Sequence, residues 1–171
     1  MKKYALIGEK LSHSLSPCIH EAVFGELDLD AGYTLMEIPA RFKGHIVQKL
    51  WYEGYKGANV TIPYKQTVLR QLDVLSPAAE KIGAVNTIVN CGGRLFGCNT
   101  DIDGFLFLCR EANIRLAGKK VLVLGSGGKP PYFFFNLHYL LNLPLISYKR
   151  RFVRIYKGPK IPQSRNSSVP E

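Results

Sequence analysis

Cysteine is sparse: Cys18, Cys91, Cys98 and Cys109 are the only thiols in 171 residues. Four cysteines do not make a disulfide framework in a chain this long. No Cys-x-x-Cys pair occurs, which argues against structural zinc. The expectation is reduced thiols in a cytoplasmic protein that holds no metal. A long apolar run is missing at the start. Met1-Lys-Lys-Tyr-Ala-Leu-Ile-Gly-Glu9 has four apolar residues before Gly8, too few for a signal-peptide core. Acidic residues are few, 13 against 23 basic ones, for a formal net charge of +10. The imbalance is local. Residues 1–128 carry 15 basic and 12 acidic side chains, whereas residues 129–171 carry 8 and 1. That last stretch also holds 6 of the 10 prolines and 1 of the 16 glycines. The net charge therefore describes the tail and says little about what the body binds. What is present, 46% hydrophobic and 21% charged residues, excludes a wholly disordered or fibrous chain.

Along the body, short apolar runs alternate with helical periodicity. Strands are expected at 4–8, 33–38, 57–63 and 120–124, with a hairpin of 87–89 and 94–96 around Gly92-Gly93. Ser16-Pro17 reads as a helix start, Ser at the cap and Pro in the first turn. Ile19, Val23, Phe24 and Leu27 lie on one face of that helix. Further helices are expected at 42–52, 64–72, 77–82 and 103–113, with Ser76-Pro77 opening the one at 77–82. Strands alternating with helices imply a layered α/β fold with a largely parallel sheet, and a second unit opening near residues 100–118.

Four stretches carry chemistry. Ser12-His-Ser14-Leu-Ser16-Pro17 places three hydroxyls before a helix start, which suits a carboxylate or phosphate but equally a simple cap. In Asn59-Val-Thr61-Ile-Pro63-Tyr-Lys65, strand alternation puts Asn59 and Thr61 on one face. Pro63 ends pairing and presents Lys65 at the carboxyl edge of the sheet, where it can meet an alcohol oxygen and move a proton. Asn86-Thr87 and Asn99-Thr-Asp101-Ile-Asp103 supply an amide and carboxylates beside turns, where such residues also commonly bond their own backbone. Finally, Val121-Leu-Val-Leu-Gly125-Ser126-Gly127-Gly128 is a strand running into glycines, the context in which a backbone approaches a pyrophosphate.

Taken in order and spacing, these stretches, together with Gly83-Ala-Val-Asn-Thr87, resemble shikimate dehydrogenase from residue 4 to residue 128. The resemblance implies a three-layer substrate-binding domain with a mostly parallel sheet (1–105), followed by an incomplete Rossmann-type NADP-binding domain (106–148) and a basic, disordered tail (149–171). It implies that Ser14 and Ser16 hold the shikimate carboxylate. Asn59, Thr61, Asn86 and Asp101 would then read ring hydroxyls or carboxylate, and Lys65 with Asp101 would form the catalytic pair. Gly125, Ser126, Gly127 and Gly128 would cradle NADP. The implied reaction is NADP-dependent interconversion of shikimate and 3-dehydroshikimate, in the pathway to chorismate and aromatic amino acids. A quinate-using or NAD-using variant and a non-catalytic shikimate-binding fragment stay open, as does a homodimer.

After Gly128 the resemblance stops. The family has a helix of small residues there, whereas this chain has Lys129-Pro-Pro-Tyr-Phe-Phe-Phe135, whose two prolines remove amide donors. The composition shift suggests a substituted or out-of-frame tail on a shortened chain. Three other readings of the tail are weaker. Leu143–Tyr148 could be a second nucleotide-domain strand followed by Lys149-Arg-Arg151 for a 2′-phosphate. Residues 130–148 are uncharged, but Asn136, His138, Asn142 and Pro144 interrupt them, so no membrane span is expected. Aromatic and basic residues interleave from Tyr148 to Lys157, but no recognised module frames them, so no nucleic-acid partner is expected.

Overall fold

The computed structural model describes residues 1–116, 121–124, 145–149 and 152–156, the last three stretches as strands only. The chain divides into two compact units, Met1–Leu108 and Cys109–Glu171.

The first unit is built on a six-stranded sheet. Its strands are β1 (Lys2–Gly8), β2 (Ala31–Glu37), β3 (Gly57–Val60), β4 (Val74–Leu75), β5 (Thr87–Cys91) and β6 (Arg94–Cys98), arranged β2-β1-β3-β5-β6-β4. β1 pairs in parallel with β2 and β3, and β4 with β6, while β5 runs antiparallel to both neighbours. The expected parallel character holds, with the β5–β6 hairpin set into it. Gly92 and Gly93 turn that hairpin at φ of 61° and 92°, a backbone that side chains with a Cβ rarely adopt. Four helices complete the unit and its exit: α1 (Ser16–Glu26), α2 (Ile46–Tyr52), α3 (Pro77–Ile82) and α4 (Asp101–Glu111).

Period-two alternation along β1 separates two cores. Ala5 and Ile7 pack with Ile46, Val47 and Leu50 of α2, Ala79 of α3, and Ala58, Val60 and Ile88 of the neighbouring strands. Tyr4 and Leu6 face the other way, with Tyr33 of β2, Phe24 of α1 and Leu11 from the loop between β1 and α1. Helices therefore cover both faces of the sheet, giving the three layers expected.

Several elements differ from expectation. Ser16 does not cap α1: Leu15 occupies the cap, and it is Ser14 Oγ that accepts the Ser16 N–H at 3.2 Å. Of the four apolar residues expected to face the core, only Phe24 packs onto it. Ile19, Val23 and Leu27 are about half exposed or more, at 59%, 46% and 61%. The helix is rotated so that His20 and Phe24, four residues apart, face the sheet, with His20 stacked on Tyr33. The helix expected at 42–52 is split into a 3-10 turn (Ala40–His45) and α2, with His45 at φ −119° breaking the helical path. β3 ends at Val60 rather than Pro63, and the helix expected at 64–72 is a turn followed by a 3-10 stretch, Val68–Gln71. By contrast, Ser76 caps α3 as expected, accepting the Ala79 N–H at 3.1 Å, and Gly83 closes that helix in the left-handed region at φ 66°.

In the second unit, β7 (Val121–Leu124), β8 (Leu145–Lys149) and β9 (Phe152–Tyr156) form a sheet. β7 and β8 are parallel, with Leu124 opposite Tyr148, and β9 returns antiparallel to β8. The tail expected to be disordered thus contains a strand at Phe152–Tyr156. Phe-Val-Arg-Ile-Tyr is rich in β-branched and aromatic residues, which favour extended backbone. Gly125 to Gly128 and the uncharged stretch up to Pro144 lie outside the described residues. Among the described residues no helix is long and apolar enough to cross a membrane.

Candidate active site

The carboxyl ends of β1 and β3 lie beside the amino end of β5, and the loops at this edge carry most of the polar motifs. Two backbone bonds stitch this edge: Thr61 N–H donates to the Ile7 carbonyl at 2.8 Å, and Val60 N–H to the Asn86 carbonyl at 2.8 Å. Thr61 lies just beyond the end of β3, half-buried, and its methyl packs so closely on Gly8 that a Cβ there would meet it at 2.9 Å. Glycine at position 8 is what lets the two loops approach.

Lys65 follows Tyr64, whose buried ring anchors the loop and whose hydroxyl donates to the Ile38 carbonyl. Lys65 Nζ donates to Asp101 Oδ2 at 2.7 Å, both side chains about a third exposed (30% and 39%). Asp101 stands in the first turn of α4, where the amide dipoles favour a negative charge. Asn99 Oδ1 accepts the Asp101 N–H at 3.0 Å, and its own amide donates to the Ala84 carbonyl at 2.9 Å. A buried asparagine thereby ties the start of α4 to the loop preceding β5.

Asn86 organises the other side of Asp101. Its Nδ2 donates to Asp101 Oδ1 (2.8 Å) and Thr100 Oγ1 (3.0 Å). Its Oδ1 accepts from the Thr100 N–H (3.0 Å) and from Thr87 Oγ1 (2.9 Å). All four hydrogen-bonding positions of this buried amide are thus engaged within the protein. Thr87 in turn accepts from Asn59 Nδ2 at 3.4 Å, across the β3–β5 pair, and Asn59 Oδ1 accepts the Tyr33 hydroxyl at 2.7 Å. Ser14 and Ser16 form their own pair at 3.1 Å, held by the turn in which Ser14 N–H meets the Leu11 carbonyl at 2.9 Å. That turn is fastened in place because Glu37 Oε1 accepts the Leu11 N–H at 2.7 Å.

The structure therefore brings Lys65, Asn86 and Asp101 into direct contact and links Asn59 to them through Thr87. Tyr33, Thr87, Asn99 and Thr100 complete the network but were not singled out as site residues from sequence. Thr87, Asn99 and Thr100 adjoin residues that were, so adjacency was the usable signal. Tyr33 looks like an ordinary strand residue and gave none. Burial pushes its phenol up to about 12, and the Ser16 hydroxyl pulls weakly the other way. Beside Asn59 and Thr87 the sheet opens into a cavity of about 280 Å³, which Tyr33, His20, Phe24 and Val89 also line.

Residues 6–88 match the family described as the shikimate dehydrogenase substrate binding domain. The Clostridium perfringens protein named shikimate dehydrogenase (NADP(+)) is 48% identical over 128 residues, which is 75% of this chain and 47% of that protein. The crystal structure of shikimate dehydrogenase 1 from Peptoclostridium difficile superposes with a TM-score of 0.80 at 37% identity, covering 89% of this chain and 58% of that one. The Thermus thermophilus enzyme, solved in complex with NADP(H) and shikimate, gives 0.76 at 36%, covering 88% and 56%. The chain spans about half the length of the curated relatives it matches. Residues 6–88 thus carry the shikimate dehydrogenase substrate-binding domain in their sequence, in a unit similar in fold to solved shikimate dehydrogenases.

Proposed function

We propose that the Met1–Leu108 unit binds shikimate and 3-dehydroshikimate, and that the chain interconverts them with NADP. The observation that carries this reading is the 2.7 Å contact between Lys65 and Asp101, residues 36 apart in sequence, with the other oxygen of that carboxylate held by Asn86. The ligand is a small carboxylate with several ring hydroxyls. Ser14 and Ser16 offer hydroxyl donors to the carboxylate, while Asn59, Thr61 and Asp101 meet the ring hydroxyls; Asn86, expected among these contacts, has its amide spent within the protein and holds Asp101 for them. Lys65 stands at the alcohol that is oxidised. Its amine takes the hydroxyl proton as the carbon gives up hydride and returns it in the reverse direction. Asp101 keeps that amine aimed and balances its charge.

NADP supplies the hydride acceptor. The second unit fits that role in its backbone: β7 and β8 are parallel neighbours with Leu124 opposite Tyr148. The carboxyl ends of β7 and β8 therefore lie at the same sheet edge, where open α/β sheets bind nucleotides. Gly125, Ser126, Gly127 and Gly128 would hold the pyrophosphate through backbone amides, and Lys149 stands at the register position for a phosphate.

The test is shikimate-dependent reduction of NADP by the 171-residue protein. Turnover is expected, with Lys65→Ala lowering it by roughly 10²-fold or more, as loss of general acid–base catalysis does. A second reading, shikimate binding without hydride transfer, is favoured by the placement of every described site residue in the first unit. It predicts no turnover while shikimate still raises the melting temperature. Neither turnover nor a thermal shift overturns both.

A further inference from the structure

An asparagine amide that reads a ligand has two ends, and which end it offers decides what it can read. We propose that Tyr33 is the positioning residue that fixes this choice at Asn59, turning its carbonyl inward and leaving an N–H for the ligand. This rests on the reading of Asn59 as a shikimate contact.

The Tyr33 ring cannot move far. It is 6% exposed, packed with Leu6 and Leu11, and stacked on the His20 imidazole with ring centroids 3.9 Å apart and planes 12° from parallel. His20 is itself held by its Nδ1 contact to the Ser16 carbonyl at 2.8 Å. The phenol oxygen is thus delivered to one point, where its proton goes to Asn59 Oδ1 at 2.7 Å. Flipping the Asn59 amide would set its NH₂ against that hydroxyl proton and lose the contact. With Oδ1 committed, Nδ2 reaches Thr87 Oγ1 only at 3.4 Å, and the second Nδ2 hydrogen is unspent. Asn59 is half-buried beside the open cavity, so that hydrogen is available to an alcohol or carboxylate oxygen. The phenol that sets Asn59 thereby stands at the head of the chain Asn59–Thr87–Asn86–Asp101 that ends on Lys65.

A residue that acts through Asn59 should lose its effect when Asn59 is gone. Shikimate affinity is measured by calorimetry for wild type, Tyr33→Phe, Asn59→Ala and the double variant, alongside the side-chain amide resonances of Asn59, assigned by their loss in Asn59→Ala. Tyr33→Phe is expected to weaken binding roughly tenfold in wild type and less than about twofold in the Asn59→Ala background, the non-additivity of a coupled pair. It is also expected to move the Asn59 amide resonances in the free protein. Equal weakening in both backgrounds, or unmoved Asn59 resonances, overturns the proposal. Moved resonances in a wild type that does not bind shikimate would support the orientation of Asn59 and overturn the ligand reading alone.

Discussion

Asn86 concentrates more of the site's order than any other described side chain, because one amide serves two elements at once. Its four bonds join the start of β5 to Thr100 and Asp101 at the start of α4. Replacing it with leucine leaves the Thr100 N–H without its acceptor and Asp101 Oδ1 without its side-chain donor. An orphaned buried polar group costs about 1–3 kcal/mol. Asn86→Leu should therefore lower the urea unfolding free energy by about 2–4 kcal/mol, whereas Thr100→Val, which spares the backbone bond, should cost less than half as much. Tyr33 makes a pH-dependent contribution. Its phenol is pushed up to about 12 from an ordinary value near 10, so the folded state holds the proton more tightly than the unfolded one. That stability is fully present below pH 10 and is lost as pH rises through 12, an amount of about 2 kcal/mol. Urea titrations of wild type and Tyr33→Phe at pH 9 and pH 12 should show the wild-type advantage at the lower pH and its loss at the higher. Lys65, Asp101 and Asn86 were legible in sequence because the order and spacing of their motifs together resemble one family, whereas each motif alone reads equally as a turn or a solvated side chain. Tyr33 was not, because a tyrosine in a strand is ordinary until the strand across from it presents Asn59.

At the level of elements, local signals predict the structure where the chain itself decides the outcome and fail where packing decides. Ser76 with Pro77, and Gly83 at the other end, delimit α3 without outside help. Ser76→Ala should cost about 1 kcal/mol, the usual loss of a serine cap, measured by urea denaturation. The β5–β6 hairpin is equally local. α1 is the opposite case. Leu15, Ile19, Val23 and Leu27 recur every four residues and would form the buried stripe of an isolated amphipathic helix. In the structure this stripe is largely exposed, and His20 and Phe24 beside it meet the sheet instead. Periodicity reveals that a helix has an apolar side but not which neighbouring stripe the sheet selects. That selection followed from the stacking of His20 on Tyr33, a long-range contact no window of sequence contains. Similarly, β3 stops at Val60: the Thr61 N–H makes the last bond to β1, at the Ile7 carbonyl, and Pro63 has no N–H with which to continue the ladder.

At the scale of the molecule, the α/β order and the opening of a second unit were visible as alternating patterns, because each strand and helix is separately periodic. The arrangement of strands was less so, since the placement of β4 beside β6 depends on contacts between elements distant in sequence. The first unit has its own two cores, and the residues that form them all lie between Tyr4 and Leu95. The site network closes within it as well, from Ser14 to Asp101. α4 also ends with its own stop: Asn113 adopts φ 55°, its N–H meets the Arg110 carbonyl at 2.9 Å, and the Ile114 N–H returns to the Cys109 carbonyl at 2.8 Å. This arrangement satisfies carbonyls that the end of a helix otherwise leaves open. A chain stopped after Leu116 should therefore unfold in one cooperative urea transition, with its Lys65–Asp101 pair intact. Because that chain keeps every residue assigned to shikimate, its melting temperature should rise with shikimate by the same amount as that of the 171-residue protein. A broad, non-cooperative transition would show that the first unit takes its stability from residues beyond 116. A cooperative transition with no response to shikimate, in a comparison where the longer protein does respond, would place part of the shikimate site in the second unit.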